Sequence, residues 1–189
     1  MRRRDLLLSL VLLGCAGAQR PAAPPRASVA RDWLPLRTGA AWSYDVQTGI
    51  GGDSVLSTLA VVRTDGDTFL VRGGSRTETY EYRPDGVVRE REYILKDPVR
   101  EGTTWTGRDG ATYTVGPREP TRTVGGQVFR EVVSVRRETP STRITTTTWF
   151  AAGVGVVEIT ARTESSLGTA MEIRSTIRGY SLGDPPAEE

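Results

Sequence analysis

Few side chains in this 189-residue chain are equipped for covalent or acid–base chemistry. It has no histidine and a single cysteine, Cys15. That composition excludes disulfide frameworks, thiolate or imidazole metal centres and every histidine-dependent triad. Carboxylates remain. Asp65 and Asp67 flank Gly66 as in a calcium loop, but such a loop needs more oxygen ligands at fixed spacing. Glu78 and Glu92 could form an acid–base couple on one face, although solvated charges on neighbouring strands account for them far better. Gly153-Val154-Gly155 lacks the helix and later acid of a dinucleotide site, and reads as a turn between strands. These residues point to no reaction, no metal and no cofactor, and the chain is expected not to be an enzyme.

Cys15 is another matter, because its setting gives it a use. Arg2, Arg3 and Arg4 make a positive start, Leu6 to Leu13 form an apolar run broken by Ser9, and small residues follow. This is the layout of an export signal, and the run is far shorter than the roughly 20 apolar residues of a membrane span. Leu12-Leu13-Gly14-Cys15 resembles the lipobox of bacterial lipoprotein precursors. The resemblance implies cleavage after Gly14, lipidation of Cys15 with palmitate-like acyl chains, and, with Ala16 next, sorting to the outer membrane facing the periplasm. Two or more acyl chains anchor a protein stably where one does not. An ordinary secretory signal cleaved near Ala16 or Ala18 is the alternative, and Arg3-Arg4-Asp5-Leu6-Leu7 is also similar to a degenerate twin-arginine signal.

The leader's three arginines and one aspartate account for the whole of the net charge of +2. The remainder is neutral and offers no argument for nucleic acid as a partner. The expected organisation is a signal peptide over 1–14 and a lipidated Cys15 with a Pro/Ala-rich tether over 15–31. A single all-β domain over 32–182 and a disordered tail over 183–189 complete it.

That domain must position whatever the chain binds. Val, Thr, Tyr and Trp recur in runs separated by turn pairs such as Asp65-Gly66, Gly73-Gly74, Asp85-Gly86, Asp109-Gly110 and Gly125-Gly126, the mark of an antiparallel meander. The spacing predicts one strongly curved sheet of about ten strands, an open half-barrel or rolled barrel, with no helix. Trp42, Tyr44 and Val46 alternate with polar residues, as do Met171, Ile173 and Ile177, so one face is buried. Thr145 to Thr148 form a β-branched strand with a wetted outer face. Pro84-Asp85-Gly86 suits a three-residue hairpin loop, which would set Glu81 across from Arg89 and Tyr82 beside Val88.

Pro35, Arg37, Gly39 and Trp42 recur as Pro98, Arg100, Gly102 and Trp105. Each copy is expected to be a loop feeding a strand that opens on a buried tryptophan. Trp42, Tyr44, Trp105 and Trp149 are therefore the expected structural core. The opening Trp33-Leu34-Pro35-Leu36, Gly39, Trp42-Ser43-Tyr44 and the later Trp149-Phe150-Ala151-Ala152-Gly153-Val154-Gly155-Val156-Val157 resemble the bookends of a group of bacterial envelope lipoproteins. That group brings no established reaction, so no catalytic residue is carried over.

The expected role is a non-catalytic envelope lipoprotein, structural or binding, partnered with the membrane through Cys15 and with a hydrophobic small molecule or an envelope protein. Two alternatives stand beside it: a carrier of a lipid or other hydrophobic small molecule in a concave sheet, and a carboxylate-dependent hydrolase of envelope polymers. An open apolar concavity would favour the carrier, a packed interior the structural role, and two buried carboxylates in a cleft the enzyme.

Overall fold

The structure is a computed structural model that describes residues 29–49, 52–139, 141–164 and 170–183. Cys15, the signal and nearly all of the expected tether and tail lie outside the described residues. One turn of helix, α1 (Ala30–Trp33), precedes twelve strands: β1 (Ala40–Thr48), β2 (Ser54–Asp65), β3 (Thr68–Gly73), β4 (Arg76–Arg83), β5 (Gly86–Arg89), β6 (Glu92–Lys96), β7 (Thr104–Thr106), β8 (Thr112–Val124), β9 (Gln127–Thr139), β10 (Ile144–Ala151), β11 (Gly155–Glu164) and β12 (Ala170–Leu182). The class is the one the turn spacing predicts, with more strands than the ten expected and with one helical turn.

All twelve strands belong to one antiparallel sheet in the order β6-β5-β4-β3-β2-β1-β12-β11-β10-β9-β8-β7. First and last strands pair at its middle, and β6 and β7 are its free edges. The two edges meet through side chains. The Trp105 indole donates to the Tyr93 carbonyl at 3.1 Å, and the Tyr113 hydroxyl to Glu92 at 2.5 Å. The sheet thus rolls into a nearly closed barrel, as large twisted sheets do.

The chain is two six-strand runs in tandem, β1–β6 and β7–β12, and the repeated Pro-x-Arg-x-Gly-x-x-Trp opens each. The backbones of the two copies agree. Gly39 and Gly102 have φ of 81° and 82°, conformations in which a side chain is strained. Gly39 N–H donates to the Val61 carbonyl on β2, and Gly102 N–H to the Val115 carbonyl on β8. Ala40 N–H returns to Arg37, and Thr103 N–H to Arg100, each at 3.0 Å. A register irregularity follows Val61 in β2 and Val115 in β8.

One end of the barrel is stoppered by residues 30–36. Gly153 N–H donates to the Asp32 carbonyl at 2.7 Å, and Ala30 N–H to the Asp97 carboxylate at 2.8 Å. The Tyr82 hydroxyl donates to the Leu34 carbonyl and accepts from Leu36 N–H. Ala30, Trp33, Leu34 and Leu36 are buried by these contacts.

Outside the barrel, the far part of the β8–β9 hairpin folds over the outer face of β10, β11 and β12. Arg122 from β8 stacks on the Trp149 ring at 4.3 Å and reaches Glu158 on β11 at 2.9 Å. Arg174 on β12 donates to the other Glu158 oxygen at 2.7 Å. Glu158 is only 1% exposed, so its charge is stable there because two guanidinium groups meet it.

The β4–β5 hairpin differs from the sequence expectation by one residue. Arg83 pairs with Gly86, Tyr82 with Val87, Glu81 with Val88 and Tyr80 with Arg89. Pro84 and Asp85 alone make the turn. Gly86 stays in the strand because its bare backbone lies against the Leu95 carbonyl of β6. Glu81 instead pairs with Arg83 at 2.9 Å. A shift of one residue sends every side chain to the opposite face, and it turns Arg89 into the barrel.

Candidate ligand cavity

Strand alternation fixes what faces inward. From β1, Trp42, Tyr44 and Val46 point into the barrel; from β10, Thr146, Thr148 and Phe150 do. The interior they enclose is not filled. It holds a cavity of about 530 Å³, inside the range of roughly 300–1,000 Å³ typical of small-molecule sites.

The wall is mostly apolar. Leu34 and Leu36 of the stopper, with Trp42, Tyr44, Phe150 and Val156, line the closed end, and Leu59, Ile94, Val135 and Ile159 continue the surface. The polar atoms of this part are satisfied by the frame. The Trp42 indole donates to the Val154 carbonyl at 2.7 Å, and the Tyr44 hydroxyl to the Val156 carbonyl at 2.9 Å. Burial pushes the Tyr44 phenol far above its usual value, with Tyr80 adding to the effect. Neither ring has a free polar group, so the two present only shape and apolar surface to the cavity.

A row of polar side chains crosses the interior further toward the open end. On one side of the seam, Tyr80, Arg89 and Glu92 sit directly opposite one another on β4, β5 and β6. On the other, Tyr113, Arg137 and Thr146 do so on β8, β9 and β10. The Tyr113–Glu92 hydrogen bond joins the two groups across the seam. Arg137 donates to the Tyr113 hydroxyl at 2.9 Å and to Thr139 at 2.7 Å, and is ion-paired with Asp109. Trp105 stacks on Tyr113 with ring centroids 5.0 Å apart. Burial and the Glu92 partner push the Tyr113 phenol up to about 12.

Among the described residues Arg89 is the arginine of the row without an ion pair, whereas Arg137 has Asp109. It lies directly opposite Tyr80 in the register, with Glu78 as an acidic neighbour. Burial works against its charge, and Tyr80 and Glu78 more than offset that, leaving the guanidinium more firmly protonated than usual. Its side chain is exposed, and the surface it exposes is cavity wall.

The residues singled out from sequence are spread across this architecture. Trp42 and Tyr44 line the cavity, Trp105 lies at the seam, and Trp149 lies half-buried on the outer face under Arg122. Glu78 and Glu92 are inward-facing, but Arg89 stands between them in the register and Glu92 accepts the Tyr113 hydroxyl. That is not the arrangement of two carboxylates facing each other across a substrate bond. Asp65 and Asp67 sit at an exposed hairpin tip, and among the described residues no cluster of metal-ligating side chains occurs. Tyr80, Tyr113 and Arg137 were not singled out from sequence, and Arg89 was named there only as the partner of Glu81, where the structure pairs it with Tyr80.

No family model and no curated protein sequence matches the chain. Two solved structures are similar to it. One is a candidate exported protein with a YMCC-like fold from Bacteroides fragilis, at 9% identity and a TM-score of 0.44, covering 79% of this chain and 98% of that one. The other is a candidate lipoprotein from Parabacteroides distasonis, at 10% identity and a TM-score of 0.37, with the same coverage of both chains. At such identities and scores neither likeness bears on what this chain binds.

Proposed function

We propose that the chain is an exported, non-catalytic binding protein whose barrel holds one hydrophobic small molecule, and that acyl chains on Cys15 tether it to the outer membrane. The observation that carries the binding role is the cavity of about 530 Å³ inside the barrel, walled mostly by apolar side chains, with the polar atoms of Trp42 and Tyr44 already paired. A structural protein of this size gains stability by filling its interior. This one leaves room, and a stopper of four buried apolar residues seals one end. The lipid anchor is supported by Leu12-Leu13-Gly14-Cys15 and the proline-rich segment after it.

Two measurements test the two halves of this reading. Mass spectrometry of gently extracted protein should find a co-purifying hydrophobic species at about one per chain, and a polarity-sensitive dye should bind the folded protein and be displaced by apolar ligands. Failure of both leaves the barrel a structural element. Cys15→Ser should abolish palmitate labelling and release the protein from the membrane fraction; unchanged labelling would sink the anchor.

A further inference from the structure

The polar row gives the cavity a direction, and Arg89 gives it a chemistry. Resting on the binding function proposed above, we infer that Arg89, opposite Tyr80 in the register, receives the carboxylate head of a single-chain amphiphile whose tail lies against the apolar closed end.

A guanidinium carries five N–H donors in a planar fork that matches a carboxylate in two parallel hydrogen bonds. The other arginine of the row shows what a satisfied fork looks like here: Arg137 meets Tyr113, Thr139 and Asp109. Arg89 faces Tyr80 in the register, with Glu78 as a neighbouring acid but no ion pair among the described residues. An unoccupied fork on the cavity wall can take both oxygens of an incoming carboxylate without first breaking an ion pair. Glu92, the nearer acid in the register, accepts the Tyr113 hydroxyl and points across the seam, which leaves the cavity side of Arg89 to a ligand.

Position agrees with chemistry. The following turn, Glu90-Arg91, has both residues at positive φ, 49° and 70°, as a two-residue hairpin connection requires. That tight turn fixes Arg89 opposite both Tyr80 and Glu92 at the end away from the stopper. From there the wall becomes apolar toward Trp42, Phe150 and Leu34. A head at Arg89 and a tail toward Leu34 satisfies both parts, and the volume suits one chain.

The test compares ligands that share a tail and differ at the head. Displacement of the dye from the Cys15→Ser chain is measured with palmitate, hexadecanol and hexadecyltrimethylammonium. Palmitate should bind at least tenfold more tightly than hexadecanol, and the cation most weakly. Arg89→Gln should bring palmitate down to the level of hexadecanol in the same variant, with an unchanged urea denaturation midpoint showing that it is folded. Arg89→Lys keeps the charge without the fork and should retain a reduced preference. Should the Gln variant not fold, the Lys variant decides, an unchanged preference in it counting against the assignment. Equal affinities for palmitate and hexadecanol in the unmodified barrel, or a preference that survives Arg89→Gln, would overturn the role of Arg89 and leave the binding function standing. Binding of none of the three would overturn the binding function itself.

Discussion

At the scale of single residues, several polar atoms of the interior are held by named partners. Tyr113 shows this most clearly, because it gives its proton to Glu92 and accepts from Arg137. Its phenol is raised from 10.0 to about 12, and Tyr44, Tyr80, Tyr82 and Tyr93 are raised as well. A group whose folded value lies above its unfolded value contributes stability that is fully present below the unfolded value. That contribution is lost as pH rises through the folded one. Urea denaturation midpoints should therefore fall between about pH 10 and 12, and in the folded protein most phenols should titrate later than free tyrosine. A single phenolic step at the ordinary value, with the protein still folded, would show these rings to be solvated and the row not to exist.

At the scale of the element, turns decide what the strands present. Gly39 and Gly102 hold matching left-handed conformations where each half of the barrel begins. A side chain at such a φ costs roughly 1–2 kcal/mol. Space is no obstacle at either position: an added Cβ would meet nothing within 4 Å at Gly102 and only the Gly183 Cα at 3.8 Å at Gly39. Gly39→Ala and Gly102→Ala should each lower stability by about 1–2 kcal/mol in chemical denaturation, and by similar amounts. A large difference between them would mean that the two halves do not start alike.

The same elements explain which parts of the molecule were legible in the sequence. Turns marked by glycine pairs, and the alternation of Trp42, Tyr44 and Val46, gave the meander and its buried face away. The β5–β6 turn has no glycine, because Glu90 and Arg91 take the positive φ values themselves, so one strand boundary left no sign. Gly86 misled in the other direction: it looks like a turn residue but serves the close approach of β6. Arg89 went unrecognised for that reason, since its face depends on the register that Gly86 disguises. The Tyr113–Glu92 link was hidden for a different cause, being a contact between the two free edges of the sheet with no local signature. The Arg122–Glu158–Arg174 cluster likewise arises only because a hairpin folds over its own sheet.

At the scale of the whole molecule, a barrel this wide is kept by its ends and its seam, because its centre contributes little packing. Trp105 is 8% exposed, stacks on Tyr113 and donates across the seam to Tyr93. Truncation of a buried aromatic of this size costs about 3–5 kcal/mol. Trp105→Ala should lose that much and also weaken ligand retention, since the two edges are joined there by side chains. Trp42→Ala should cost a similar amount through the stoppered end, where its indole holds the β10–β11 turn. A change near zero in either would mean that the ring is not part of the frame.

The claim on which the rest depends is that the space inside the barrel is the binding site. Thr148 lies on its wall between Val135 and Ile159 in the register, so an aromatic ring placed there enters the cavity without displacing the frame. The decisive measurement is dye and hexadecanol binding to Thr148→Phe, read beside its urea denaturation midpoint. The structure leads us to expect binding weakened by at least tenfold, with stability equal to or above that of the parent. Binding retained at full strength in a stably folded Thr148→Phe protein would contradict it, for the ligand would then lie somewhere other than the barrel interior.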